Sequence, residues 1–326
     1  MSKRLKIAFI IALALILIGI IIFVGVMCML KWDFRKLSTS KFIENTYQVT
    51  EGFSNISLNT KTADIIFVPS ENGEVKVISF ENEKIKHAVE VKDGTLKIDF
   101  NDTRKWYEHI GINFYTPKLT VYIPAGQLGN LKINSSTGDI EIPKEFTFDS
   151  IEISESTGTV KCYASALNSI KIKTSTGNIF VENVNAANIG LCVSTGKITV
   201  NNATCSENIQ LEVSTGKTKL NKVRCQNLIS SGSTGDILLD DVIAAGKFSV
   251  ERSTGDVELR NCDAAEIYIK TTTGDIEGSV LSEKFFMAHS DTGDVEVPKT
   301  TNGGKCEINT DTGDIEIEYS WRTYAS

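Results

Sequence analysis

The 326-residue chain is poor in the residues that build metal centres and cross-linked domains. Its seven cysteines are too dilute for a small domain held together by disulfide bonds. Its three histidines, His87, His109 and His289, are far apart, and none stands in a zinc-binding spacing. Acidic residues (41) outnumber basic ones (34), and the net charge of −7 argues against nucleic acid as a partner.

Common catalytic signatures are also missing from the sequence. It contains no Walker loop and no dinucleotide-binding glycine motif. Residues 231–235 have the outward form of a nucleophile elbow, but they are one copy of a repeat described below. We therefore predict a protein that is not an enzyme, with no catalytic residues and no cofactor-binding residues. Its composition, with 41% apolar and 23% charged residues, is that of a folded protein.

One long apolar run stands near the N-terminus. Residues 7–30 contain no charged side chain and are numerous enough to cross a bilayer as a helix. The run ends at bulky Met27 and Cys28 rather than at a small-residue cleavage site, so we predict an uncleaved signal anchor. Basic residues flank both ends, which leaves the orientation open from charge alone. We expect a single-pass protein of the cell membrane whose remaining chain lies outside the cytoplasm.

From residue 135 onward the sequence repeats a tripeptide, (Ser/Thr/Asp)-Thr-Gly, at intervals of 19 or 20 residues. The ten glycines that end it are Gly138, Gly158, Gly177, Gly196, Gly216, Gly235, Gly255, Gly274, Gly293 and Gly313. A repeat of this length indicates a solenoid. Aliphatic residues alternate with period two on both sides of each glycine, at positions −7, −5, +2 and +4, which is typical of half-buried strands.

The odd interval between positions −5 and +2 requires a bend at the glycine if both side chains are to face inward. Glycine suits that bend because it adopts positive φ angles without steric cost. No crossover helix fits into repeats this short, so the sequence predicts an all-β fold. We expect a single-stranded parallel β-helix of about ten coils and roughly 45–50 Å in length.

We divide the chain into a short tail (1–6), a transmembrane helix (7–30), a juxtamembrane linker (31–46), an N-terminal β region that caps the solenoid (47–130), the repeat solenoid (131–319) and a C-terminal tail (320–326). Thr62-Ala-Asp-Ile65 has the form of a degenerate corner within the cap. Trp321 and Tyr324 are candidates to cover the other end. Most cysteines fall on buried positions, and Cys205 and Cys225 share a column in which they are either free thiols or a bridge.

The strand leading into Tyr122-Ile-Pro124, the segment from Leu131 to Ile140 and the many Thr-Gly corners resemble the bacterial "putative adhesin" family of unknown function, which includes LiaG-like envelope proteins. The resemblance covers roughly Tyr47 to Tyr319. It implies a right-handed β-helix-like fold in a membrane-anchored or surface protein, and it brings no catalytic residues. The sequence departs from the simple Thr-Gly-Asp corner at Thr159, Asn178, Lys197 and Lys217.

Charge is the remaining candidate for chemistry. Residues 235–320 contain 19 acidic and 7 basic residues, a net charge of −12, so the rest of the chain carries about +5. The aspartates that follow the last five glycines are weak candidates for a metal site: Asp236, Asp256, Asp275, Asp294 and Asp314. They either cap turns on a solvated face or form a face for a divalent cation, of which calcium is the natural candidate, or for a cationic partner.

The favoured function is therefore a non-catalytic adhesin or scaffold of the bacterial envelope, with a role in envelope-stress response as one form of it. The alternative is a cell-wall or extracellular polysaccharide-active β-helix enzyme, since some β-helices carry such activities. The membrane is the expected partner of the N-terminal helix. An envelope protein or a polysaccharide of unknown identity is the expected partner of the solenoid.

Overall fold

The computed structural model describes residues 3–38, 41–106 and 115–320. The apolar run forms helix α1 (Lys3–Met29), which is long and apolar enough to cross a membrane. The helix ends where Lys31 and Trp32 adopt positive φ angles of 54° and 59°. One short 3₁₀ turn (Phe34–Leu37) follows, with the Asp33 side chain accepting a hydrogen bond from the backbone N–H of Arg35.

Every other regular element in the described residues is a β-strand. The strands before the regular repeat are β1 (Phe42–Val49), β2 (Asn55–Asn59), β3 (Asp64–Pro69), β4 (Val75–Asn82), β5 (Ile85–Lys92), β6 (Thr95–Asp102) and β7 (Lys118–Ile123). The strands of the repeat are β8 (Gly126–Thr137), β9 (Ile140–Ile142), β10 (Phe146–Thr157), β11 (Val160–Cys162), β12 (Ser165–Ala186), β13 (Asn188–Cys205), β14 (Asn208–Thr215), β15 (Thr218–Cys225), β16 (Asn227–Thr234), β17 (Ile237–Thr254), β18 (Val257–Thr273), β19 (Ile276–Val280), β20 (Lys284–Thr292), β21 (Val295–Glu296), β22 (Gly304–Thr312) and β23 (Ile315–Tyr319).

The strands of the repeat pair in parallel, coil upon coil, so that equivalent residues stand above one another. Ile170 pairs with Ile189, Gly177 with Gly196 and Ile179 with Ile198, each one repeat apart. The same registers continue from β8 to the last coils. The predicted β-solenoid is therefore confirmed, with each coil bending at its glycine.

Positions −7, −5, +2 and +4 line one continuous core. Their side chains in the regular coils are almost entirely buried, as Ile170, Ile172, Ile179 and Val181 illustrate. A third side of each coil adds buried residues at +7 and +9, for example Val184 and Ala186. Because every coil presents aliphatic side chains to two neighbours, burial accumulates along the rod rather than in one globular centre.

Five consecutive coils also have a second bend, six residues after the glycine. Asn183, Asn202, Lys222, Asp241 and Asn261 occupy this column, and all five have φ angles between 49° and 57°. Asparagine and aspartate tolerate this left-handed conformation better than other side chains do. The amide of Asn202 also donates to Asn183 Oδ1 at 2.7 Å, which ties neighbouring bends together.

The N-terminal region begins with a further coil and closes over it. The segment around Ala63 stacks on the Gly138 corner, since Thr62 bridges to Thr137 and Ala63 N–H donates to the Thr137 carbonyl. Strands β6 and β7 then pair in parallel outside β2 and β3. Antiparallel strands complete this end: β5 on β6, and β4 with β1 on β7.

Strand β1 begins at Phe42, within residues 31–46 for which the sequence predicted a linker. The ring of Phe42 lies 5.4 Å from that of Phe80 and 5.0 Å from that of Tyr115, measured between centroids. These aromatic contacts hold the first strand to the cap. The chain therefore enters the β-domain soon after the apolar helix.

The last two coils do not stack in the order of the sequence. Strand β22 pairs with β18 on one side and with β20 on the other, and β23 lies between β19 and β21 in the same way. The Gly313 coil therefore stands between the Gly274 coil and the Gly293 coil. The first coil is enclosed similarly, since β2 lies between β6 and β8.

The predicted cover residues Trp321 and Tyr324 lie outside the described residues, as does His109.

Candidate functional site

The corner glycines form a column in which no side chain fits. Their φ angles lie between +124° and +153°, a region that favours glycine. A Cβ atom at Gly177, Gly196 or Gly216 would lie 1.7 to 1.8 Å from the carbonyl oxygen of the preceding corner. The glycines are thus required twice, for their backbone angle and for the close approach of neighbouring coils.

The acidic side chains predicted from the sequence follow this column. Asp256 Oδ1 accepts a hydrogen bond from the N–H of Asp275 at 3.0 Å, and Asp275 Oδ1 accepts from Asp314 at 2.8 Å. Asp314 Oδ1 accepts in turn from Asp294 at 2.8 Å, so Asp294 rather than Asp314 ends the series. The carboxylates of Asp256, Asp275 and Asp314 therefore cap the corner of the neighbouring coil rather than a turn of their own coil.

The acidic column begins beside basic side chains. Lys217 Nζ lies 2.9 Å from Asp236 Oδ2. A hydrogen bond from Lys217 holds the pKa of Asp236 below its usual value, and the pKa of Lys217 is raised by the same contact. Lys197 and Lys219 stand nearby, around a shallow groove that Asp256 and Glu258 also line. The post-corner face, meaning the outward side chains at +1 and +3, thus changes from basic to acidic along the rod.

The acidic part of the post-corner face is called the acidic face from here on. It consists of the five aspartates of the column and the glutamates at +3, which are Glu258, Glu277, Glu296 and Glu316. Within residues 3–38, 41–106 and 115–320, no group of three or more His, Cys, Asp or Glu side chains is arranged to hold a metal ion. Calcium binding by this face stays a prediction.

The pre-corner face, formed by the outward side chains of strands such as β12, β13 and β14, carries a second shallow groove. It surrounds Gly190, which leaves a gap between Lys171 and Gln210, and its volume is about 330 Å³. Lys173 and Glu212 also line it. A mixture of amines, amides and carboxylates in an open depression suits hydrogen bonding to a polar polymer better than enclosure of a small molecule.

A buried hydrogen-bonded cluster lies beneath the N-terminal cap. Thr60 Oγ1 is 3.0 Å from His87 Nε2, and His87 Nδ1 is 2.6 Å from Glu81 Oε2. Glu81 also accepts from Asn45 Nδ2 at 2.8 Å, and hydrogen bonds, that from His87 foremost, hold its pKa below the usual value despite burial. The spacing resembles a hydroxyl, base and acid relay. Thr60 is only 6% exposed and His87 only 4%, so we interpret the cluster as a lock between the cap and the first coil.

Position −3 of each coil also points inward and is often polar. In three coils its hydroxyl donates to the glycine carbonyl of the coil stacked beside it: Thr271 to Gly255 at 3.4 Å, Thr310 to Gly274 at 3.1 Å and Ser290 to Gly313 at 2.8 Å. Glu155 holds the same position and is only 4% exposed. Neither of its carboxylate oxygens has a hydrogen-bond partner in the described part of the chain. Burial raises the pKa of Glu155 to about 7.

Arg252 occupies position −3 in a later coil and is 5% exposed. Its guanidinium donates to Ser230 Oγ at 2.9 Å, to Thr218 Oγ1 at 3.3 Å and to the Glu251 carbonyl at 2.9 Å. Burial lowers the pKa of Arg252 to about 10. A Cβ atom at Gly232 in the adjacent coil would lie 2.4 Å from the Val213 carbonyl oxygen and 3.0 Å from Arg252 Nη1, so glycine there avoids a backbone clash and also leaves room for the guanidinium.

The Arg252 cluster was missed by sequence reasoning, although signals for it exist. Thr218 stands at +2 and Ser230 at −5, where most other coils have aliphatic residues. These polar substitutions lie in adjacent coils and compensate one another around the guanidinium.

The cysteines behave as predicted: Cys162, Cys205, Cys225, Cys262 and Cys306 are buried, with Cys192 half-exposed. Cys205 and Cys225 are free thiols, and burial raises the pKa of Cys225 to about 12.

Comparison with known proteins gives a family and a set of structural likenesses. The model of the Toastrack DUF4097 family matches residues 53–210 and 204–325. The chain is similar to a solved putative adhesin from Parabacteroides distasonis ATCC 8503, with 15% identity and a TM-score of 0.48 over 86% of this chain and 98% of that one. It is also similar to a putative lipid binding protein from the same organism (15% identity, TM-score 0.48, 82% and 96% of the two chains). A third likeness is to a putative adhesin from Parabacteroides merdae ATCC 43184 (12% identity, TM-score 0.44, 86% and 97%). No curated protein matches the chain.

Proposed function

Because the chain belongs to the Toastrack DUF4097 family, we propose that it is a membrane-anchored, non-catalytic rod that displays binding surfaces outside the cytoplasm, as an adhesin or a scaffold of the bacterial envelope. The observation that carries this proposal is the joining of one apolar helix to an uninterrupted stack of coils. Such a stack buries its aliphatic residues inside and repeats its outward side chains at constant spacing. Repetition of this kind produces extended surfaces for binding.

The chemistry of the two outward faces supports binding rather than catalysis. The grooves are shallow, and their charged side chains stand in columns along the rod rather than converging on one point. The Thr60, His87 and Glu81 cluster has the spacing of a catalytic relay but lies under the cap. A part in envelope-stress response belongs to the same proposal, since a displayed rod can present a surface to a sensor protein.

The first test concerns topology. External protease on intact cells should remove the β-domain while an N-terminal epitope tag stays protected inside. A matched strain that carries the tag at the C-terminus should lose it under the same treatment. Protection of the whole β-domain in intact cells, with digestion after lysis, would place it in the cytoplasm and end the proposal.

The second test concerns the role. Proximity labelling from the C-terminus of the membrane-inserted chain should mark envelope proteins or wall polymer. A chain of the same anchor joined to an unrelated domain is the control. Labelling no different from that control contradicts a role as adhesin or scaffold.

A further inference from the structure

The two ends of the solenoid differ in how their edge strands are protected. At the N-terminal end, the outermost strand β5 carries the exposed charged residues Lys86, Glu90 and Lys92. Charges on an edge strand oppose the addition of another strand. The antiparallel strands of the cap further change the direction of the chain at this end. We therefore expect no strand to add to β5.

The opposite end lacks such protection. Strand β20 keeps an unbroken parallel register with β22 from Lys284 to Thr292, without a bulge or a proline. In the described part of the chain no strand pairs with its other side. Phe285 and Met287 on this strand are 44% and 48% exposed, and Val295 on β21 is 43% exposed. A long, regular edge strand with exposed apolar side chains favours pairing with a further strand.

The basic residue of this edge does not guard it. The ammonium group of Lys284 lies 2.6 Å from Asp263 Oδ1, and its side chain is 3% exposed. Exposed acidic residues outnumber exposed basic ones in this coil, since Asp291, Asp294 and Glu296 stand against Lys299. Asp314 and Glu316 of the next coil continue this charge. The Lys284 backbone is bonded to the side chains of Thr300 and Tyr319. From Phe285 onward the edge combines backbone groups that face no strand of the described chain, apolar side chains and negative charge.

We propose that the free edge of the last coil, β20 with β21, binds an extended basic segment of a partner protein, which adds to the solenoid as a further strand. This inference rests on the proposed binding role and names the kind of partner. Backbone hydrogen bonds to β20 would supply the affinity, while alternating apolar and basic side chains would match Phe285, Met287 and the acidic residues. A second copy of the chain fits less well, because joining two such edges would bring Asp291, Asp294 and Glu296 of both copies together.

The test uses the full chain in lipid nanodiscs and a fluorescent octapeptide of alternating valine and lysine. Fluorescence anisotropy should show binding that weakens as salt increases. The same peptide with an N-methyl group on every residue keeps its charge but loses the backbone donors of both edges, and we expect its affinity to fall at least about tenfold. An octapeptide of alternating valine and glutamate should not bind.

Variants of the chain locate the site. Met287→Lys places a guard charge on the edge and should weaken binding of the valine–lysine peptide at least about tenfold. Ala88→Lys, an exposed position on the N-terminal edge strand β5, is the matched control and should leave binding unchanged. Asp294→Asn with Glu296→Gln should reduce both the affinity and its salt dependence.

Equal binding of the N-methylated and unmodified peptides would overturn the proposal, because charge alone would then account for the interaction. Binding that survives Met287→Lys, or an absence of binding to the unmodified peptide, would overturn it as well. These results leave the protease test of topology untouched. Failure of the edge and failure of the proposed function are therefore distinguishable.

Discussion

At the scale of single residues, the fold depends on positions where only one kind of side chain is compatible with the neighbouring coil. Gly216 illustrates this, since its backbone has a φ of +138° and lies directly against the Gly196 carbonyl. The second bend is more permissive, because Asn202, Lys222 and Asp241 all occupy it with similar angles. The two bends of one coil thus tolerate substitution to different degrees.

Replacement of Gly216 by alanine should destabilise the solenoid by about 1–3 kcal/mol, because the new Cβ atom forces strain or separation of two coils. Lys219→Ala is the control, since Lys219 is an exposed outward residue of the same coil. Urea unfolding followed by circular dichroism measures both. Equal midpoints for the two variants would refute the assignment of Gly216 as an obligatory corner.

Glu155 makes stability depend on pH in a direction opposite to that of most carboxylates. Its pKa is about 7 in the folded protein against 4.5 for an ordinary glutamate, so the folded state holds the extra proton between these values. Stability from this group is therefore greatest below about pH 4.5 and falls as the pH rises to about 7. As a neutral acid, Glu155 can donate a hydrogen bond in the manner of the hydroxyls at position −3 of other coils.

Glu155→Gln should remove this dependence. As the pH rises from about 5 to 7.5, the unmodified chain should lose on the order of 1–3 kcal/mol more unfolding free energy than the Glu155→Gln variant does. Glu152→Gln, on the outward side of the same strand, is the matched control and should leave the profile unchanged. A pH profile for Glu155→Gln that parallels the original would show that Glu155 is already ionised at neutral pH.

At the scale of the element, the aspartate column acts as a series of caps between coils. Asp256→Ala removes the acceptor for the Asp275 N–H and should cost about 0.5–1.5 kcal/mol. Asp256→Asn keeps an acceptor oxygen and removes a repelling charge. Asn178 shows that asparagine can fill this role, since its Oδ1 accepts from the Lys197 N–H at 3.1 Å. Thermal melting at low salt should therefore place Asn at or above the original residue and Ala below it. An Asn variant as unstable as the Ala variant would contradict the capping role.

Calcium tests whether the same column binds cations. Neighbouring carboxylates about 4.8 Å apart repel by about 0.9 kcal/mol even in water, so a divalent ion at the acidic face would relieve this repulsion. Millimolar calcium should raise the melting temperature above that in sodium chloride of equal ionic strength. The gain should shrink when Asp256 and Asp275 are both changed to asparagine. Equal melting in the two salts would leave the acidic face as a solvated surface with backbone caps.

The coils themselves were predictable from the sequence, because a glycine corner and period-two alternation are local patterns. The stacking order was not, since Gly274 to Gly293 and Gly293 to Gly313 have the ordinary intervals of 19 and 20 residues. Every coil offers the same ladder to its neighbours, so spacing cannot distinguish one order from another. Glu155 and Arg252 were not predictable because both lie at position −3, where the coils share no constant residue type.

At the scale of the whole molecule, charge is distributed unevenly along the rod. The net charge of −12 between residues 235 and 320 is concentrated in its C-terminal coils, while the remainder of the chain is positive. Self-repulsion of this kind weakens the compact state and is screened by salt. The two halves of the solenoid should therefore respond differently to ionic strength.

Hydrogen exchange followed by mass spectrometry can measure this difference. Raising sodium chloride from about 10 mM to about 300 mM shortens the screening length from roughly 30 Å to under 10 Å. Amide protection in β18, β19, β22 and β23 should increase, while that in β10, β12 and β13 should stay nearly constant and serve as the internal control. A uniform change along the rod would show that local charge does not limit the stability of the C-terminal coils.

The enclosed position of the Gly313 coil has a consequence for the timing of assembly. A chain that emerges from its N-terminus onward can add most coils one at a time, each upon the coil just completed. The Gly293 coil emerges before the Gly313 coil. In the finished rod, however, the Gly293 coil lies outside the Gly313 coil, and its strand β20 pairs with β22. The C-terminal end therefore cannot reach its final arrangement until residues 304–319 have emerged. The emergence of residues 304–319, rather than the completion of each coil in turn, marks the moment at which this end of the rod is closed.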